Sequence, residues 1–121
     1  MTIAPKDLLA FSESLVSSTD EVTLRAAASR AYYAAYHHSL SYAIENEIEI
    51  LKAPPEERAG VHGDLIYTFR QHSAENIRQA AYSLQQAKDI RSKADYKLQS
   101  NLVNNDVQLV IAYTRKVFTH L

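Results

Sequence analysis

Apolar residues recur at helical spacing along almost the whole chain, and the places where that recurrence stops are few. Leu8, Phe11 and Leu15 form one edge of a first helix predicted over Lys6–Ser17, opened by Pro5, which suits a first helical position. Ser18 with Glu21 three residues later is a capping-box pattern. A second helix is therefore predicted from Asp20 to Leu51, since neither glycine nor proline interrupts that stretch. Its first half is rich in Ala and Tyr, and its second half, from Ile44, is acidic on one side and aliphatic on the other. Pro54-Pro55 stops it. Residues 53–63 read as the main loop, followed by a short third helix from Asp64 to His72. Ser73 is positioned to cap a fourth helix over Ala74–Ala94, along which Ile77, Ala80, Ala81, Leu84, Ala87 and Ile90 share a face. Asn104 or Asn105 caps the last helix, which runs to about Leu121 with Val107, Val110, Ile111, Thr114, Val117 and Phe118 inward. The expected fold is all-α: a single domain over residues 1–121, an antiparallel bundle of four main helices plus a short one.

Composition sharpens this picture. With 46% apolar residues but only two Gly and three Pro in 121 positions, there is enough material for one core and little for loops. The net charge of −1 gives no global basic field, so a nucleic-acid site has to be a local basic cleft. Without cysteine there is no disulfide framework and no thiolate chemistry. The N-terminus lacks the basic and apolar blocks of a signal peptide, and no apolar run reaches bilayer length, so the expectation is a soluble, cytoplasmic protein with no membrane partner. Gly60 and Gly63 are the only glycines, which excludes phosphate loops of the P-loop or Rossmann kind. Neither a Gly-x-Ser-x-Gly elbow nor a His-Glu-x-x-His zinc motif is present, so neither metal nor cofactor is expected.

The chemistry concentrates in residues 26–38. Seven residues on an α-helix turn through about 700°, so Arg30 and His37 lie within about 20° of each other, about 10.5 Å apart along the axis. A fixed cation and a group titrating near neutrality then share one face. Those are the groups that metal-free cleavage of an RNA phosphodiester needs: histidine to move the 2′-hydroxyl proton, guanidinium to hold charge on the phosphoryl oxygens. Spacing alone favours an Arg that caps a bundle end and a His half-buried between helices. Tyr32, Tyr33, Tyr36 and Tyr42 either stack unpaired bases or fill a core or interface. Of the four, Tyr33 stands between Arg30 and His37 and is placed to line their cleft. His38 is turned about 100° from that face. His62, in the predicted loop, either approaches the site from outside or simply faces water. His72 and His120 read as helix-end residues. Arg91 and Asp95, four apart, read as an ordinary helical ion pair.

Three segments carry a family resemblance. Ser29-Arg-Ala-Tyr-Tyr-Ala-Ala-Tyr-His37 resembles the signature helix of HEPN-domain proteins, in which His follows Arg after four to six residues. Val61-His-Gly-Asp-Leu-Ile-Tyr-Thr-Phe69 and Arg91-Ser-Lys-Ala-Asp-Tyr96 resemble the His-Gly and Arg-x-x-Ala-Asp-Tyr segments of a small stand-alone branch, in the same order. The resemblance implies a HEPN-like bundle acting as a metal-independent endoribonuclease by 2′-hydroxyl transesterification. His37 and Arg30 would be catalytic, and Tyr33, His62 and Arg91 would contact the substrate. It further implies RNA as partner, a homodimer with a composite site, and a toxin–antitoxin or phage-defence setting. The alternative it carries is a non-catalytic module that binds RNA, a nucleotide or a nucleotidyltransferase partner. Two positions depart from the pattern: Ala31 stands where many active members have a polar residue, and Ser39 where the toxin branch has Tyr.

Overall fold

A computed structural model describes residues 2–121. Helix takes up 74% of the chain, and no strand occurs among the described residues. Five helices pack together: α1 (Pro5–Leu15), α2 (Glu21–Glu45), α3 (Gly60–Arg70), α4 (Glu75–Tyr96) and α5 (Asn104–His120), with a 3₁₀ turn at Pro55–Glu57. None is long and apolar enough to cross a membrane among the described residues.

The second helix is the centre of the assembly, packing against α1, α4 and α5, while α3 lies on α4. Its Ala27, Ala28, Ala31, Ala34 and Ala35 are fully buried, and such short side chains let three neighbours approach one backbone closely. Two hydroxyls exploit this closeness. Ser12 Oγ of α1 donates to the Ala27 carbonyl at 2.9 Å, and Thr114 Oγ1 of α5 donates to the Ala31 carbonyl at 2.9 Å. On α1 the inward edge is Leu8, Leu9, Ser12 and Leu15, whereas Phe11, expected on that edge, is 51% exposed. The inner face of α5 is as its periodicity predicts, except that Phe118 is only half-buried. On α4 the predicted face is likewise inward, with Ile90 half-buried at its end.

Several helix ends differ from the sequence-based expectation, each for a local reason. Asp20, not Ser18, caps α2, accepting from the Thr23 N–H at 3.3 Å and the Thr23 hydroxyl at 2.7 Å. The same helix stops at Glu45 rather than Leu51. Glu47 takes a left-handed φ of 54°, so the Ile48 N–H reaches the Ala43 carbonyl at 2.8 Å and the Glu47 N–H reaches Ile44 at 3.2 Å. That is a Schellman closure with glutamate in the usual glycine position. The segment beyond is strapped to α3, the Leu51 N–H donating to Thr68 Oγ1 at 2.8 Å and the Ala53 N–H to Asp64 Oδ1 at 2.9 Å. Helix α3 starts at Gly60 rather than Asp64, because Gly60 adopts φ +62° and a Cβ on Gly63 would collide with that of Ala59. His62 is therefore a first-turn helical residue, not a loop residue. Ser73 does not cap α4. Instead the Arg78 guanidinium donates to the carbonyls of His72 and Ser73 at 2.9 and 2.6 Å. Neither Asn104 nor Asn105 caps α5, whose Asp106 carboxylate accepts from the Val103 N–H at 2.9 Å.

One side chain ties the far end of α4 to α2. The buried Arg25 donates through Nη1 to the carbonyls of Lys93, Ala94 and Lys97 at 3.1, 3.0 and 3.3 Å, and through Nη2 to Ser100, while Nε meets Glu21 at 3.0 Å. The Lys93 and Lys97 carbonyls also accept from the Lys97 and Ser100 N–H groups, so Arg25 adds a second donor there and meets the Ala94 carbonyl at the helix end. Arg25→Ala should lower the unfolding free energy by about 2–4 kcal/mol, read from urea denaturation followed by circular dichroism. A change below about 0.5 kcal/mol, typical of an exposed surface position, would contradict this anchoring role.

Candidate functional site

Along α2, Arg30, Tyr33 and His37 occupy one strip, and the elements facing that strip decide what it can do. Arg30 and His37 are exposed, Tyr33 is half-buried between them, and Arg30 makes no hydrogen bond or ion pair among the described residues. The Tyr33 ring lies 6.1 Å from that of His37, and Tyr36 stands edge-on to His37 at 5.3 Å. His37 also borders a groove of ≈ 310 Å³ with Ile3, Pro5, Leu8 and Ser41, so its outer side is open.

The first turn of α3 brings in a second imidazole. His62 stacks on Tyr36 at 4.0 Å and 18°, stands edge-on to Tyr33 at 5.5 Å, and its Nδ1 lies 2.6 Å from the hydroxyl of Tyr32. Tyr32 is fully buried, and burial holds its phenol far above the ordinary range, so it stays protonated. Helix α4 contributes two cations. Arg91 is 6% exposed, and its guanidinium carbon lies 5.1 Å from the Tyr32 ring centroid and 5.7 Å from those of Tyr33 and Tyr96. Its nearest carboxylate, Asp95, is 3.5 Å away, and its Nε is sealed without an acceptor. Asp95 in turn accepts from Ser29 Oγ of α2 at 3.3 Å. The ion pair expected of Arg91 and Asp95 forms, but on an arginine buried in an aromatic cage rather than at the surface, and α4 is tied to α2 there through Ser29.

Lys88 is the member of this cluster that sequence reasoning did not single out. Burial, with Arg91 beside it, lowers its pKa, and its Nζ would sit 3.7 Å from a Cβ on Gly63. A signal was present: Lys88, Arg91 and Asp95 have the same i, i+3, i+7 spacing on α4 that Arg30, Tyr33 and His37 have on α2. The remaining histidines stand apart. His38 stacks on Phe118 at 4.3 Å, His72 Nδ1 accepts from the Ala74 N–H, and the His120 carbonyl accepts from Asn76. No group of three or more His, Asp or Glu suited to a metal ion forms among the described residues. Tyr42 is half-buried against the core.

The arrangement joins four sequence-predicted residues, Tyr33, His37, His62 and Arg91, into one aromatic and cationic surface, with Arg30 exposed one turn before Tyr33. Cation–π contacts of a guanidinium are worth about 0.5–2 kcal/mol each, which helps offset the burial of Arg91. Chemically, the surface offers hydrogen-bond donors, positive charge and ring faces, a combination suited to a phosphate-bearing, base-bearing ligand. Neither a known protein family, nor a curated protein, nor a solved structure matches this chain.

Burial, then Arg91, Lys88 and His37, lowers the pKa of His62, and burial, partly opposed by Glu45, lowers that of His38. The unfolded chain therefore binds more protons than the folded one between those depressed values and the ordinary value of about 6.5. Stability that depends on the neutral rings is complete above about pH 7 and is lost as the pH falls through that window. The urea midpoint should drop from about pH 7 to about pH 5, and the slope should flatten in a His38→Gln/His62→Gln variant. An unchanged slope in that variant would show that other groups govern the acid side.

Proposed function

We propose that this domain is a metal-independent endoribonuclease of HEPN type. The observation that carries the reading is the convergence of His37, Tyr33, His62 and Arg91 on one surface from α2, α3 and α4. His37, exposed and open to a groove, moves the proton of the 2′-hydroxyl or of the leaving 5′-oxygen. Arg30, with no acidic partner to occupy it among the described residues, holds the scissile phosphate. Tyr33, flanked by both histidines, stacks a base or sugar, and the buried Arg91 with Lys88 supplies the positive potential that a chain of net charge −1 otherwise lacks. The 2′-hydroxyl attacks phosphorus, the bond to the 5′-oxygen breaks, and a 2′,3′-cyclic phosphate and a 5′-hydroxyl remain. Each chain carries one His37, so separate acid and base follow from a two-fold homodimer with both Arg30/His37 strips on one cleft. A cytoplasmic toxin–antitoxin or phage-defence role, with an antitoxin or effector partner, follows from the same resemblance.

One observation favours a second reading. Ala31, where many active members have a polar residue, is fully buried and its carbonyl is engaged by Thr114, so that position adds nothing to the cleft. A non-catalytic module that binds RNA, a nucleotide or a nucleotidyltransferase would keep the same surface without turnover.

Incubation of the pure protein with mixed RNAs in EDTA separates the two. Cleavage should persist, leave 2′,3′-cyclic ends and spare DNA. His37→Ala should reduce the rate about 10²- to 10⁴-fold and Arg30→Ala about 10²- to 10³-fold, with helicity retained. Arg30→Lys should recover little, because a point charge does not reproduce the guanidinium fork. Binding without cleavage selects the module, and a strict need for a divalent ion refutes the mechanism.

A further inference from the structure

We infer that His62 is a catalytic residue of a different kind from His37: a neutral imidazole whose Nε2–H donates to a phosphoryl oxygen, with its tautomer set by the buried Tyr32 hydroxyl. The inference rests on the ribonuclease reading for its kinetic consequence, and on geometry for the tautomer. A phenol has one proton to give and lone pairs to receive. Around the Tyr32 hydroxyl, the one acceptor in hydrogen-bond reach among the described residues is His62 Nδ1, at 2.6 Å. The nearby guanidinium of Arg91 is a donor only. If Nδ1 carried the proton and donated to the phenol oxygen, the Tyr32 proton would be buried with no acceptor, an arrangement that folded proteins avoid. The hydroxyl therefore donates to Nδ1, and the imidazole proton sits on Nε2.

The ring is held as well as polarised. Tyr36 covers one face at 4.0 Å, the ring of Tyr32 lies 5.5 Å off at 25°, and Tyr33 stands edge-on at 84°. Nε2 makes no hydrogen bond among the described residues and is not among the sealed polar atoms, so it reaches solvent. A second proton on this ring is opposed first by burial and then from both neighbouring helices, by Arg91 and Lys88 on α4 and by His37 on α2. The same cations draw an anion. Arg91 has one carboxylate at 3.5 Å and an Nε with no acceptor in a side chain more than nine-tenths buried, so its guanidinium is incompletely satisfied from within, while Asp89 meets part of the charge of Lys88. A non-bridging oxygen of a phosphodiester supplies the missing negative charge and accepts from Nε2–H. Tyr32, in this account, is a positioning residue acting through His62, and proton transfer stays with His37.

The test has a spectroscopic and a kinetic arm, both on the full chain. Long-range ¹H–¹⁵N correlation at pH 7 should find His62 as the Nε2–H tautomer, and Tyr32→Phe should turn it into a mixture of tautomers. Inorganic phosphate should shift the Nε2–H resonance, and Lys88→Gln should weaken that response. In the kinetic arm, His62→Ala should slow cleavage about 10²- to 10³-fold, the usual loss for one oxyanion donor. His62→Gln, whose amide can present an N–H near the position of Nε2, should recover cleavage to within about ten-fold of wild type with an unaltered pH profile. An Nδ1–H tautomer, an imidazolium at pH 7, or a phosphate-insensitive Nε2 overturns the inference. So does a Gln variant as slow as Ala that has lost one limb of the pH profile, since that is the mark of a proton-transfer group. If the wild type cleaves no RNA, the ribonuclease reading fails, and the tautomer and phosphate measurements still decide the role of His62.

Discussion

A guanidinium sealed between two helices, with one carboxylate in ion-pair range among the described residues, is the constraint around which this molecule is organised. Burying Arg91 would be costly if nothing met its charge. The rings of Tyr32, Tyr33 and Tyr96 meet it with their electron-rich faces, and Asp95 meets it at 3.5 Å. Burial alone would lower the Arg91 pKa, but Tyr33, Tyr32, Tyr96 and Asp95 together raise it, so the guanidinium keeps its charge and acts on its neighbours. With burial as the larger cause in both, that charge disfavours protonation of His62 and lowers the pKa of Lys88. A chain with a net charge of −1 thereby gains a local positive site.

That site needs a rigid frame, and the frame is built from small residues. The alanine stripe of α2 brings α1, α4 and α5 onto one backbone, so the aromatic residues interleaved with it are forced to one side. Tyr32, Tyr33, Tyr36 and His37 are consecutive or nearly so, yet they divide their roles by helical phase. Tyr32 and Tyr36 turn inward against His62, Tyr33 spans the boundary, and His37 faces out. Arg25 does for the end of α4 what the alanines do for its middle, holding the last turn against α2 close to where Arg91 emerges. The polar surface is positioned by ordinary packing.

Much of the architecture was legible because helical periodicity is long-range and redundant. The inner faces of α4 and α5 each rest on several residues, and one exception, such as Phe118, does not disturb them. Helix ends rest on single residues, and there the reading slipped. Nothing in the run around Glu47 signals a stop, because the left-handed turn uses glutamate where glycine is usual. Asp20 outcompeted Ser18 as cap by reaching both the N–H and the hydroxyl of Thr23. The extension of α3 back to Gly60 depends on two glycines whose value lies in φ and in a close approach, neither visible as a pattern. At the site, Arg30, Tyr33 and His37 were legible from one helix face. The joining of His62 and Arg91 to them is tertiary, and so is that of Lys88, which the packing of α3 on α4 brings beside Gly63.

The central claim is that RNA lies across the Tyr33 ring between the α2 strip and the cations of α4. The most direct measurement is an amide chemical-shift map of the ¹⁵N-labelled protein, titrated with a short single-stranded RNA made uncleavable by 2′-O-methylation. The account predicts perturbations centred on residues 30–37, on the first turn of α3 around His62, and on residues 88–96, weakening steeply as salt rises. Perturbations centred instead on the groove lined by Glu13, Val16, Gln108, Ile111 and Arg115, or none at RNA concentrations that saturate other single-strand binders, would contradict it.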